Sequence, residues 1–175
     1  MLELTNKNIY LRAVEPEDLL YIHSIENNTE IWNISNTLTP FSKYEIKQYI
    51  ESSQLGIYTN KQLRLIICHI NNNKPIGTID LFDFDPYHKR AGIGILISDK
   101  NERKKGFAKE SLETLINYCF SFLDLNQLYC NILSDNSNSI KLFTEAGFRE
   151  IGTKYNWVKT TYGWKDEIMF QLLRE

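Results

Sequence analysis

The chain has 175 residues, 42% of them hydrophobic and 24% charged, with a formal net charge of -2 at pH 7. That length suits one compact domain with a substantial core, and the slight acidic balance argues against a general nucleic-acid or anionic-membrane binder, which needs a basic surplus to neutralise phosphates. The first residues carry Glu3, Asn6, Lys7 and Asn8, and no later stretch approaches eighteen apolar residues, so one soluble cytoplasmic domain over residues 1–175, with no leader and no membrane span, is expected.

Residues 9–14 alternate as a first strand, and Glu15-Pro16-Glu17-Asp18 then opens a helix with proline and acids in its first turn. Leu19, Ile22 and Ile25 form its apolar stripe. A second helix starts at Ser42, where Glu45 completes the pattern of a reciprocal cap, and Ile46, Tyr49 and Ile50 supply its buried side. The period then changes to two. Residues 63–70 and 76–84 read as strands joined by a turn over 71–74, and residues 91–97, nearly all apolar, as a strand buried on both faces. Ala108, Leu112, Leu115, Ile116, Cys119 and Phe120 recur at helical spacing and predict a long amphipathic helix. A strand over 128–133, a short helix over 136–146 stopped by Gly147, and two strands around a turn at 160–163 complete the chain. The order predicts an α+β fold with a mostly antiparallel central sheet of about seven strands flanked by about four helices.

Cys68, Cys119 and Cys130 lie in apolar periodic segments without a CxxC spacing or a nearby histidine pair. Neither a disulfide framework nor a metal site is expected.

The segment with chemical content runs from the apolar Ile95-Leu96-Ile97 through a basic turn to Arg103-Lys104-Lys105-Gly106-Phe107-Ala108 at a helix start. A strand-turn-helix junction aims several backbone amides and the positive end of the helix dipole in one direction, which suits a phosphate; Gly106 and Ala108 permit close approach, and Lys104 and Lys105 add charge. No Walker A loop and no GxGxxG is present.

Arg103 to Ala108 matches the Arg/Gln-x-x-Gly-x-Gly/Ala signature of the GNAT superfamily, and residues 136–148, an Asn-containing helix ending in Gly147-Phe148, resemble that family's second block. The resemblance spans nearly the whole chain and is nearest to the bacterial spermidine and diamine N-acetyltransferases. It implies acetyl-CoA as co-substrate without a metal. The pantetheine arm would lie along Ile95, Leu96 and Ile97, the pyrophosphate on residues 103–108, and Asn136 would face the arm. Phe143 stands at a cofactor-contacting position where many relatives carry a tyrosine proposed as general acid, and a phenyl ring has no proton to donate. Gly92 stands where many relatives have a glutamate.

Direct attack of an amine on an acetyl thioester needs a base, a polarised carbonyl and a stabilised thiolate. Asp80, which interrupts the apolar strand beside the expected cofactor strand, is the candidate base, and a backbone amide near Leu96 or Ile97 the candidate carbonyl donor. For the acceptor, Glu26, Glu30, Asp80, Asp83 and Asp85 with Trp32, Phe82, Phe84 and Trp157 offer carboxylates for cationic amines and aromatic faces for methylene chains; Glu26, Trp32, Asp80 and Trp157 are the residues expected to touch it. A polyamine is the favoured acceptor. A peptide N-terminus, as in the ribosomal-protein acetyltransferases, an aminoglycoside, and an acyl-CoA-binding module without turnover stay open. The aromatic edge at Tyr155, Trp157 and Trp164 suggests a homo-oligomer.

Overall fold

The structure, a computed structural model, describes residues 4–35 and 37–175. Seven strands form one sheet in the order β1-β2-β3-β4-β5-β7-β6: β1 (Ile9–Ala13), β2 (Leu63–His69), β3 (Pro75–Asp85), β4 (Arg90–Ile97), β5 (Gln127–Leu133), β6 (Arg149–Thr160) and β7 (Gly163–Leu173). All neighbours run antiparallel except β4 and β5. The longer helices are α1 (Leu19–Glu26), α3 (Lys43–Ser53), α5 (Phe107–Ser121) and α6 (Ser137–Glu145), with one-turn helices α2 (Trp32–Ser35) and α4 (Ile57–Asn60) between them. The expected architecture is present, with each strand within a few residues of its sequence assignment.

Alternation along β2 explains how the sheet serves two layers. Leu65 and Ile67 enter the large core under α5 and α6, together with Ile79, Leu81, Ile93 and Ile97. Ile66 and Cys68 face the other way and join Ile22 of α1 with Ile46 and Ile50 of α3. Over β1 and β2 the sheet is therefore covered on both faces, as apolar strands require. Arg64, one step before Leu65, falls on the α1/α3 face.

The helix starts obey local rules. Ser42 and Glu45 cap α3 reciprocally, with Glu45 N to Ser42 Oγ at 3.1 Å and Ser42 N to Glu45 Oε2 at 2.7 Å. Before α1, a 3-10 turn over Pro16–Asp18 is pinned by Arg12, which holds the buried Asp18 with two hydrogen bonds of 2.7 and 2.8 Å. Among the described residues, no helix is long and apolar enough to cross a membrane, and Cys68, Cys119 and Cys130 are free and buried. Burial pushes the Cys119 and Cys130 thiols up to about 12, so neither is a nucleophile at neutral pH.

Candidate active site

The parallel strands β4 and β5 pair at Arg90↔Gln127, Ala91↔Leu128 and Gly92↔Tyr129. Beyond those positions they part, although β4 continues to Ile97 and β5 to Leu133. Beyond Gly92, β4 therefore keeps β3 as its strand partner on one side and has none on the other. Ser98 N donates to Ile76 O, and the register runs Gly77↔Ile97, Thr78↔Leu96, Ile79↔Ile95. Alternate residues of an antiparallel strand bond to the same neighbour, so Leu96 aims its amide at β3, while Ile95 and Ile97 aim theirs into the gap. Leu96, expected to share in cofactor binding and to donate to the carbonyl, thus turns its amide toward β3, and the gap-facing amides on either side of it belong to Ile95 and Ile97. Gly77 keeps β3 close at this point: a β-carbon there would stand 3.1 Å from Ile97 Cα and closer still to Leu96 O.

Both chain ends of the gap lead into helices. From β4 the chain passes through a 3-10 turn over Lys100–Glu102, then Lys104 at φ 62 and Gly106 at φ 89, to α5. Two left-handed residues within three positions fold the loop tightly, and Gly106 caps α5 without any side-chain hydrogen bond. The first amides of α5 are therefore left for a ligand or solvent. Arg103 Nε donates to Ile97 O at 3.0 Å, so Arg103 fastens the turn to the strand. Lys105 pairs with Glu102 at 2.9 Å, and Lys104 has no ion pair among the described residues. From β5 the chain reaches Asn136, whose Oδ1 accepts from Ser139 N at 3.2 Å and caps α6. The mouth of a parted parallel pair, flanked by two helix starts, is where open α/β sheets bind ligands. Phe143, expected at the cofactor, is 3% exposed and lies edge-on to Phe148 with ring centroids 5.1 Å apart; its side chain is core.

On the α1/α3 face, Asp80 lies opposite Gly94 on one side and Arg64 on the other. Arg64 Nε and Nη2 donate to the two oxygens of Asp80 at 2.7 and 3.0 Å. Its Nη1 donates to Glu26, and its guanidinium lies 5.6 Å from the Tyr49 ring centroid. Burial opposes the charge on Arg64, but attraction to Asp80 and the hydrogen bonds to it more than offset that, and the pKa is raised above its ordinary value. Trp32 Nε1 donates to the Glu26 carbonyl at 2.9 Å. Glu26, Trp32 and Asp80 are thus brought into one cluster on the face flanking the gap. Trp157 is not: it stands on the edge strand β6, 59% exposed, with Lys154 Nζ 5.1 Å from its ring centroid. Tyr21 of α1 ties this face to the end of β4 through Ser98 Oγ at 2.8 Å, its hydroxyl pushed up to about 12 by burial.

Residues 8–149 match the model of the acetyltransferase (GNAT) domain. The chain belongs to the GNAT acetyltransferase family. Over 147 residues this GNAT acetyltransferase is 27% identical to the spermidine N(1)-acetyltransferase of Vibrio cholerae, covering 84% of this chain and 82% of that protein. It is 26% identical over 145 residues to the spermidine N(1)-acetyltransferase of Escherichia coli, covering 81% and 73%. Its fold matches the crystal structure of the Vibrio cholerae spermidine N-acetyltransferase in complex with CoA and spermine with a TM-score of 0.87, over 96% of both chains, at 25% identity.

Sequence reasoning missed Arg64, which organises the acidic cluster of this acetyltransferase. The signal was present: a lone cation between Leu63 and Leu65 in an apolar strand, and a lone acid, Asp80, in the next. It missed Tyr129 as well. The Tyr129 hydroxyl donates to Asp83 at 2.9 Å, and its ring meets Phe82 edge-on at 5.7 Å. Phe82 in turn covers Gly92, where a β-carbon would stand 2.6 Å from Phe82 Cδ2 and closer to two other ring atoms. The space a β4 side chain would fill is taken by the β3 ring.

Proposed function

We propose that this enzyme transfers the acetyl group of acetyl-CoA to a primary amine of a polyamine such as spermidine, in the cytoplasm. The observation that carries the reading is the parting of β4 from β5 with α5 and α6 beginning at its mouth. The gap-facing backbone of Ile95 and Ile97 suits the amides of a pantetheine arm, as an added strand would. The uncapped first turn of α5, from Gly106 through Phe107 and Ala108, with Lys104 and Lys105 beside it and Arg103 holding the turn, suits a diphosphate. Asn136 occupies the opposite lip. When bound, acetyl-CoA supplies the acetyl thioester.

The acceptor side is read from the same register. Asp80 sits across from Gly94, one position before Ile95, so an ammonium arriving on the α1/α3 face meets Asp80 and Glu26 beside the gap. Each carboxylate oxygen keeps a lone pair that Arg64 does not use. Asp80 takes the ammonium proton, and the freed amine attacks the carbonyl polarised by the Ile95 or Ile97 amide. With Phe143 in the core, the second proton that the nitrogen sheds as the C–S bond breaks passes through water to the departing thiolate. Self-association through the β6–β7 hairpin is supported by Tyr155, Trp157, Tyr162 and Trp164, all at least 59% exposed.

The test is thiol release from acetyl-CoA with spermidine, spermine, putrescine, aminoglycosides and short peptides. Release with the polyamines is expected; release with peptides alone refutes the acceptor, and acetyl-CoA binding without release to any amine refutes catalysis. In the same assay Asp80→Asn, which keeps its shape beside Arg64, lowers kcat about a hundredfold, within the range for lost general-base catalysis, and leaves the KM for acetyl-CoA near wild type. Unchanged kcat removes Asp80 from the mechanism.

A further inference from the structure

Five acids flank the acceptor side of the sheet, and they are not equivalent. Glu26 and Asp80 share a single cation, Arg64. Glu30 pairs with Lys100 at 2.7 Å, and Asp85 with Arg90 at 3.3 Å. Asp83 has no ion pair among the described residues; its partner is the neutral hydroxyl of Tyr129. Burial, then the Asp83 carboxylate, pushes that hydroxyl up to about 12, so it stays a donor.

Asp83 is also the residue at which β3 breaks its ladder. The register with β4 shifts between Phe82 and Asp85, and Asp83 takes φ 50. A bulge of this kind re-aims one side chain out of the alternation. Here Asp83 lines a cavity of about 590 Å³ together with Tyr129 and Asn131, a volume in the range of small-molecule sites. Arg90, Gln127 and Tyr129 place the cavity over the paired end of the β4–β5 seam, Lys154, Met169 and Gln171 carry it across β6 and β7, and Asn131 marks its edge just past the point where β4 and β5 part. The two cations in its wall are already occupied: Arg90 by Asp85, and Lys154 by Glu167 and Asn131.

We propose that this cavity is a subsite for the distal ammonium of a polyamine, held by the Asp83 carboxylate against the Tyr129 ring. The proposal rests on the polyamine reading above and adds to it a site for the end of the chain that does not react. Asp83 lies about three residues along β3 from Asp80, roughly 10 Å at the rise of a strand. That separation suits a long polyamine and exceeds the reach of a short monoamine. The Tyr129 ring contributes a cation-π face, and its hydroxyl fixes the carboxylate.

The experiment compares spermidine with butylamine as acceptors in wild type, Asp83→Asn and Tyr129→Phe, at low and high salt. Asp83→Asn raises the ratio of the spermidine KM to the butylamine KM about fivefold, the upper end for an exposed ion pair, and the difference shrinks at high salt as screening grows. Tyr129→Phe moves the ratio in the same direction by less. A normal KM for acetyl-CoA verifies that each variant is folded on its cofactor side. Spermidine turnover with an unchanged KM ratio in Asp83→Asn overturns the subsite and leaves the polyamine reading standing. A wild-type enzyme that acetylates peptides and no polyamine overturns both.

Discussion

The contact between Gly92 and Phe82 makes a quantitative demand on the packing of β3 against β4. A β-carbon at position 92 would enter the Phe82 ring, 2.6 Å from Cδ2, so Gly92→Ala forces the ring off β4. The ring has little room to move, because it lies edge-on to Tyr129 and Tyr129 is anchored to Asp83. Overpacking of this kind costs about 1–3 kcal/mol, which for a chain of this size lowers Tm by roughly 5 °C. Phe82→Ala alone removes a half-buried ring and costs about 2 kcal/mol. In the double variant the methyl introduced at position 92 enters the space the ring has left, so the loss is smaller than the sum of the singles by about 1–3 kcal/mol. Urea unfolding of the four proteins measures that coupling. Additivity within about 0.5 kcal/mol would refute the packing described for these strands.

At Gly106 the cost is conformational, not steric: φ is 89 and a β-carbon placed there would meet nothing within 4 Å. Gly106→Val disfavours that left-handed backbone by about 1–2 kcal/mol and shifts the start of α5, so the dissociation constant for acetyl-CoA rises about tenfold by titration calorimetry; unchanged affinity would contradict the role given to the turn. Asp18 supplies a pH dependence. Burial raises its pKa, but the hydrogen bonds from Arg12 and from the Glu15 amide outweigh burial, and the folded value lies below the ordinary one. The stabilisation is thus complete above about pH 4 and is lost as pH falls through the lower folded value. Asp18→Asn lowers stability at neutral pH and flattens the acid limb of the stability curve; parallel acid limbs in the two proteins would refute the assignment.

Local chemistry made much of this fold legible. The Ser42–Glu45 cap, the period-two run from Leu63, the glycine before α5 and the turn between β6 and β7 are each written within a few residues, and each is present. What local chemistry does not carry is pairing across the chain. The insertion of β7 between β5 and β6, and the loss of β4–β5 pairing after Gly92, depend on partners tens of residues apart. Arg64 escapes a sequence reading for the same reason: its meaning comes from a register that sets it opposite Asp80 and under Glu26. Phe143 shows the converse. A position on an amphipathic helix fits a binding face or a core face equally well until the chain just past that helix's own end folds Phe148 against it. The one-turn helices α2 and α4 are too short for any period to announce them.

The short parallel seam has a mechanical consequence. Three ladder pairs connect the half of the sheet built from β1 to β4 to the half built from β5 to β7, with the Tyr129–Asp83 hydrogen bond beside them and α5 as the covalent strap. A ligand lodged between the diverging strands would bond to β4 and span toward β5, serving as a further rung of the protein's own ladder. Occupancy and cohesion of the two halves then rise together, because whatever binds the folded form alone also stabilises it.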